Sequence, residues 1–84
     1  MTAADKLTAA GYEDTVIFTD YSYDDALIGV TDDGRAVYEY SKMVLWLMAT
    51  EGMTVDEAEE WIGYNTIRSL PYAGPDAPII MYRL

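Results

Sequence analysis

Four oxygen-bearing side chains in one short segment, those of Asp20, Ser22, Asp24 and Asp25, have a spacing that suggests a metal site. Oxygen ligands at alternating positions are typical of calcium loops. A calcium loop also needs glycine at its sixth position and a bidentate glutamate at its twelfth, and a loop starting at Asp20 has Asp25 and Thr31 there. We therefore interpret the segment as a solvated acidic turn, with a weak cation site as the alternative, and expect no metal ion or other cofactor.

The residues that most often carry out nucleophilic or acid–base catalysis are missing. The chain has no histidine and no cysteine, so its serines have no imidazole to activate them, and neither thiolate ligands nor disulfides can form. Carboxylate pairs can act as acid and base, but among fifteen acidic residues such pairs arise by chance, and 84 residues offer little scaffold for a cleft. No glycine-rich phosphate loop is present. We therefore expect a protein that is not an enzyme.

The charge balance indicates the kind of partner. Fifteen acidic residues oppose five basic ones, for a net charge of −10, while 51% of the residues are hydrophobic and can build a core. A surface this negative repels nucleic acid and anionic membranes, so we expect direct binding to neither. The expected partner is a protein with a basic surface. No apolar run could cross a bilayer and the first residues lack a cationic signal region, so we expect a cytoplasmic location.

Hydrophobic periodicity and turn residues predict a single α+β domain over residues 1–84. The expected architecture is a small antiparallel sheet, a β-hairpin plus one or two further strands, packed on two consecutive helices. The predicted helices span 2–11, 41–51 and 55–67, and the predicted strands span 15–19, 26–31, 35–40 and 79–82.

Particular residues fix the predicted ends of these elements. Gly34 after Asp33 predicts a two-residue hairpin turn, across which Asp32 and Arg35 would face each other and pair. Serine and threonine are preferred at helix starts, and glycine just after helix ends. The helix starts are therefore predicted at Thr2, at Ser41 and at a capping box made by Thr54 and Glu57, with helix ends at Gly11 and Gly52.

The outer face of the predicted helix over 55–67 is acidic. Residues three or four positions apart lie about 5–6 Å from one another on a helix, so its acids form a continuous ridge. Acids in a first turn also complement the helix dipole and keep a surface solvated, and that simpler role is the alternative. A ridge that binds a partner's lysines and arginines in place of phosphates would gain from acids earlier in the chain. The ridge comprises Asp56, Glu57, Glu59 and Glu60, and its extension comprises Asp20, Asp24, Asp25, Asp32 and Asp33.

Tyr21 and Tyr23 flank Ser22 in the acidic connection. A tyrosine buries its ring while its hydroxyl stays in water, which suits an interface anchor. We therefore add these two tyrosines to the predicted partner-binding residues. Trp46 and Trp61 lie on the inferred inner faces of their helices and are predicted to belong to the core.

Four stretches, over 23–30, 33–38, 61–72 and 77–82, resemble a group of small uncharacterised acidic proteins of bacterial prophages and other mobile elements. The resemblance covers about residues 21–84. It implies a setting, a mobile element in a bacterial host cell, and no biochemical activity. Small acidic proteins of such elements are often inhibitors of host defence, including anti-CRISPR proteins and antirestriction DNA mimics, which this chain matches in size and charge alone.

The most distinctive part of the resemblance, Asn65 to Tyr72, is poor in acid and forms the alternative site. Arg68 is expected to cap the carbonyl end of its helix. Pairing with a buried carboxylate, or a small polar pocket shared with Asn65 and Tyr72, are the other roles open to it.

Two hypotheses of function follow. The leading one is a non-enzymatic acidic inhibitor, of the anti-CRISPR or DNA-mimic type, that occupies a basic nucleic-acid-binding surface of a host defence protein. The alternative is a small regulatory or structural module that binds a peptide or ligand through the Asn65–Tyr72 region.

Overall fold

A computed structural model describes all 84 residues, and it confirms an α+β fold in which a small sheet packs on helices. A wider π-helix, Ile62–Ile67, directly continues the last α-helix, Val55–Trp61. Single 3₁₀ turns lie at Asp24–Ala26 and Leu70–Tyr72. In chain order the regular elements are α1 (Ala3–Ala9), β1 (Leu27–Val30), β2 (Ala36–Glu39), α2 (Tyr40–Glu51), α3 (Val55–Trp61) and β3 (Ile79–Met81).

The sheet is mixed, and the prediction of an all-antiparallel sheet is wrong for its last strand. β1 and β2 pair as the expected antiparallel hairpin, whereas β3 pairs with β2 in parallel, with Tyr38 opposite Ile80. Parallel neighbours need a long crossover between them. Here α2, α3 and the irregular segment after them form that crossover, so the chain enters β3 in the same direction in which it entered β2.

The predicted strand over 15–19 is wrong, because the segment has no regular secondary structure and joins no strand of the sheet. Its side chains pack on the core instead. Phe18 is buried, with its ring centroid 4.7 Å from that of Tyr38, and the Phe18 N–H donates to the Tyr38 hydroxyl over 3.3 Å. The Phe18 N–H is therefore satisfied by a side-chain hydroxyl and not by the carbonyl of a neighbouring strand.

The hairpin forms where predicted but with a longer loop. The N–H of Thr31 donates to the carbonyl of Arg35 over 2.8 Å, so three residues lie between them. Gly34 has a φ of +83°, as the close of such a loop requires. Arg35 therefore faces Thr31, and the predicted pair with Asp32 is wrong. The Arg35 Nε donates to the carbonyl of Ala77 instead, over 2.8 Å.

Two helices start at side-chain caps predicted from the sequence, whereas the start of α2 is set by the preceding strand. The Thr54–Glu57 capping box is confirmed, as is the cap at Thr2. Ser41 is not the cap of α2. Because β2 runs straight into that helix, the extended residue Glu39 occupies the cap position, and the Ser41 hydroxyl donates to the Glu39 carboxylate over 3.0 Å.

The core lies between the sheet and the helices. Its largest fully buried side chains are Tyr23, Tyr38, Met43, Leu47 and Ile62. The prediction that Tyr23 anchors a partner is wrong, because its side chain is completely buried. Trp46 and Trp61 pack against the core, as expected, and each keeps part of its surface exposed.

An uncommon backbone places Tyr23 in the core. Tyr21 and Tyr23 have φ values of +53° and +47°, a left-handed conformation that costs about 1–2 kcal/mol for a residue with a side chain. The two turns direct the Tyr21 ring against Trp61, at 5.1 Å, and the Tyr23 ring against Trp46, at 5.7 Å. In the interior, the hydroxyls of Tyr23 and Thr66 share a hydrogen bond of 2.6 Å. Ring packing and this bond hold the strained segment in place.

No helix of the structure has the length and apolar character needed to cross a membrane.

The hydrogen bond between Tyr23 and Thr66 predicts coupled stability losses. Tyr23→Phe leaves the Thr66 hydroxyl buried without a partner and should lower the free energy of unfolding by about 1–2 kcal/mol. Urea denaturation of Tyr23→Phe, Thr66→Val and the double variant should give a coupling energy of about 1 kcal/mol. Tyr23→Phe combined with Thr19→Val, at an exposed threonine, should show no coupling. Each double variant and its two single variants form a double-mutant cycle. If the coupling energy is zero in the Tyr23–Thr66 cycle as well as in the Tyr23–Thr19 cycle, the hydrogen bond is contradicted.

Tyr38 predicts a loss of stability in alkali. Burial raises the pKa of Tyr38 to about 12, against about 10 in an unfolded chain. Between pH 10 and pH 12 the unfolded chain loses this proton while the folded chain keeps it, so the free energy of unfolding falls as the pH rises, by about 2 kcal/mol from this group. Urea denaturation at pH 9 and pH 11.5 measures the fall.

Tyr38→Phe should show a smaller alkaline loss than the unmodified chain. Tyr72→Phe, at a tyrosine that is 90% exposed, should lose as much as the unmodified chain does. Identical losses in the two variants would show that Tyr38 does not govern the alkaline transition.

Candidate acidic interface

The four acids predicted to form a ridge on α3 are all exposed and lie within two turns. α3 buries Ala58 and, one turn later, Ile62, so the remaining faces meet solvent. The Glu57 N–H donates to the Thr54 Oγ1 over 3.2 Å, and the Thr54 N–H donates to the Glu57 Oε1 over 2.9 Å. The capping box thus fixes the first turn of the helix that carries the ridge. Its acids are Asp56, Glu57, Glu59 and Glu60.

The few basic residues do not neutralise this surface. Lys42 and Arg83 both pair with the buried Glu39, at 3.9 and 3.8 Å. Lys6 donates to the carbonyl of Asp24 over 2.6 Å, and Arg35 is held by a carbonyl as described above. Every acidic residue except Asp24 and Glu39 is exposed. None of the exposed carboxylates is in an ion pair, since both ion pairs of the molecule end on Glu39.

The predicted extension of the ridge is only partly supported. Asp24 is half-buried, and its Oδ1 accepts the N–H of Ala3 over 2.8 Å, so it holds the start of α1. Asp20 and Asp25 are exposed on either side of residues 21–23, which we call the tyrosine segment.

Asp32 and Asp33 are exposed at the tip of the hairpin, where the Asp33 carboxylate accepts the hydroxyl of Thr31. α3 packs on α2, whereas the hairpin packs through β2 on β3. The two acidic groups are therefore carried by different parts of the fold.

Tyr21 is the predicted anchor that remains at the surface. Its ring lies 5.1 Å from Trp61 and 6.1 Å from Trp46, and part of it is exposed. Burial, and then the carboxylates of Glu51 and Asp20, raise the pKa of Tyr21. The proximity of Glu51 to Tyr21 was not predicted, because Glu51 lies 30 positions further along the chain and is brought there by α2.

The alternative site does not form a shared pocket. The Asn65 amide nitrogen donates to the carbonyl of Trp61 over 3.1 Å, and Tyr72 projects with 90% of its surface exposed. Arg68 is exposed and makes neither the predicted cap hydrogen bond nor an ion pair with a buried carboxylate.

A cavity of about 300 Å³ does lie beside Asn65, between the segment over 16–20 and the end of the π-helix. Thr66 and Ser69 also line it, together with residues 16–20, but Arg68 and Tyr72 do not.

A second concavity, of about 470 Å³, runs along the outer side of α3 and into the π-helix. We call it the α3 groove. Sequence reasoning missed it, because Trp61 was assigned to the core and the acids to a separate ridge. The signal was the four-residue spacing of Glu57, Trp61 and Asn65, and of Glu60 and Tyr64, which places them on one helix face. The groove is lined by Met53, Glu57, Glu60, Trp61, Tyr64 and Asn65.

No three acidic side chains come together in a way that could hold a metal ion.

Comparison with protein-family models, with curated proteins and with solved structures gives no match. The functional assignment therefore rests on the charge and shape of the chain's own surface.

The capping box predicts how the acidic ridge is supported. Thr54→Ala removes the oxygen that accepts the Glu57 N–H and should lower the free energy of unfolding by about 1 kcal/mol. Thr8→Ala, at an exposed position inside α1, should change it by less than about 0.5 kcal/mol. Urea denaturation of both variants checks this, and equal effects would contradict the role given to Thr54.

Proposed function

We propose that this chain is a non-enzymatic acidic inhibitor, carried by a phage or other mobile element, that occupies a basic nucleic-acid-binding surface of a host defence protein. The inhibitor is of the anti-CRISPR or DNA-mimic type and acts in the bacterial cytoplasm. One observation supports this above the others: no exposed acid has an ion-pair partner within the chain. Four of the five basic side chains serve the buried Glu39 or main-chain carbonyls, and the fifth, Arg68, pairs with no acid.

Such a surface suits a basic partner for a physical reason. Unpaired like charges repel one another within the folded chain, and a partner's lysines and arginines relieve that repulsion on binding. The same cations would otherwise hold phosphates, so a bound acidic protein excludes nucleic acid. Charge pairs at the rim of an interface are screened over roughly 8–10 Å at physiological ionic strength, so binding should weaken steeply with salt.

α3 is the part of the surface best suited to this role. Its acids project from a short helix that is capped at Thr54 and anchored through Ala58 and Ile62. Because the helix is already formed, several carboxylates can meet a partner without a further loss of backbone conformational freedom. Glu57 serves the cap as well as the surface, so Glu59 and Glu60 are the acids whose charge can be changed without disturbing the start of the helix.

Reversing the charge of these two residues tests the proposal. The Glu59→Lys/Glu60→Lys variant should lose at least about tenfold in affinity for a basic partner captured from bacterial lysate, whereas Glu13→Lys/Asp14→Lys should lose much less. Both pairs are exposed and both variants change the net charge equally, but Glu13 and Asp14 line a groove that α3 does not share. Circular dichroism should show both variants folded.

The partner should be recovered at about 0.1 M salt, lost at about 0.5 M salt, and released by added duplex DNA. Recovery that resists salt, or that falls equally in the two charge-reversed variants, would contradict the proposal.

The 300 Å³ cavity beside Asn65 favours a second candidate function, a module that binds a peptide or ligand through the Asn65–Tyr72 region. Under that function Asn65→Ala abolishes binding, while reversal of Glu59 and Glu60 leaves it unchanged.

A further inference from the structure

We propose that the α3 groove binds an arginine side chain of the basic partner. This inference rests on the proposed function and deepens it, because it gives the acidic surface one specific contact in addition to its general charge. The groove combines aromatic rings, carboxylates and an amide, and no basic residue lines it.

The aromatic part of the groove is accessible. Tyr64 is 65% exposed, and Trp61 keeps part of its indole at the surface while the rest packs on Tyr21. The faces of tyrosine and tryptophan rings carry partial negative charge and attract a cation placed over them. A planar guanidinium also stacks on such rings, which an ammonium ion does not do.

The carboxylates and the amide oxygen of the groove are hydrogen-bond acceptors. Glu57 uses its Oε1 to accept the Thr54 N–H, so its other oxygen is available, and Glu60 makes no hydrogen bond or ion pair within the chain. The Asn65 amide nitrogen is engaged with the Trp61 carbonyl, which leaves the amide oxygen as an acceptor. A set of acceptors beside ring faces matches a group that is cationic, flat and rich in donors, and the arginine guanidinium has five N–H donors.

Other cations fit less well. A metal ion needs several oxygen ligands at once, and no group of three carboxylates is available. A lysine would satisfy the charge but would leave the ring faces without a stacking partner. Met53 at the end of the groove provides an apolar wall for the methylene groups of a long side chain.

The test uses three blocked pentapeptides, Gly-Gly-X-Gly-Gly, in which X is arginine, lysine or citrulline, the uncharged isostere of arginine. Titration into the isotope-labelled full chain at low salt, followed by NMR, should shift the signals of Trp61, Tyr64 and Asn65. The arginine peptide should bind several-fold more tightly than the lysine peptide, and the citrulline peptide should cause no saturable shift.

Matched variants separate the groove from general charge. Tyr64→Ala should weaken the arginine peptide about fivefold, whereas Tyr64→Phe, and Tyr72→Ala at another exposed tyrosine, should stay within about twofold. Glu60→Gln should weaken binding of the arginine peptide. Glu59→Gln removes the same charge outside the groove, and it should change the logarithm of the affinity by at most half as much.

Each outcome bears on the proposal. Equal effects of Tyr64→Ala and Tyr72→Ala, equal effects of Glu59→Gln and Glu60→Gln, or equal binding of the arginine and lysine peptides would overturn the groove as an arginine site. Those results would leave the charge-based inhibitor unaffected. If the arginine peptide binds the groove as expected but no salt-sensitive basic partner is captured, the proposed function fails and the groove stands.

Discussion

The buried ring of Tyr23 holds three parts of the fold together. It packs against Phe18 of the segment over 15–19, Tyr38 of β2 and Trp46 of α2. Its hydroxyl reaches Thr66 in the π-helix. To place it there, the backbone turns left-handed twice, and the same two turns put Tyr21 against Trp61. The position of Trp61, and with it one side of the α3 groove, therefore follows from how the tyrosine segment is held.

Around that core the charges are divided unequally. Four of the five cations are engaged within the chain: two pair with the buried Glu39 and two hold main-chain carbonyls. The fifth, Arg68, is exposed and pairs with no acid. The acids are left to the surface. A net charge of −10 opposes folding through self-repulsion, and the aromatic core offsets that repulsion in the free protein. We infer that binding of a basic partner relieves it. The proposed function is supported by the exposed acids, which have no ion-pair partner within the chain.

The elements that the sequence predicted correctly depend on local chemistry. Thr54 and Glu57 cap α3 because each satisfies a main-chain group of the other, and Gly52 ends α2 because it adopts a positive φ at little cost. The direction of β3 and the isolation of the segment over 15–19 depend on the path of the whole chain, which local patterns do not carry. The prediction that Tyr23 is exposed is wrong because a tyrosine followed by two acids is typical of a solvated turn. No residue nearby indicates that the backbone is left-handed there.

In the candidate site, too, the features that depend on local sequence were predicted and those that depend on long-range contacts were not. The acids of α3 were predicted from helical spacing, and the structure confirms that all four are exposed on one helix. The structural role of Asp24 and the contact of Glu51 with the tyrosine segment join residues far apart in sequence. The α3 groove was missed because Trp61 belongs both to the core and to the surface, and a residue-by-residue reading assigned it to one.

The most direct test of the central claim is competition between this chain and DNA for one partner. Fluorescently labelled duplex DNA is bound to the captured defence protein, and the chain is titrated in while anisotropy is recorded. We expect complete displacement of the DNA at low salt, and we expect Glu59→Lys/Glu60→Lys to be unable to displace it. Binding of the chain to a partner that keeps its DNA would contradict the claim that the acidic surface takes the place of nucleic acid.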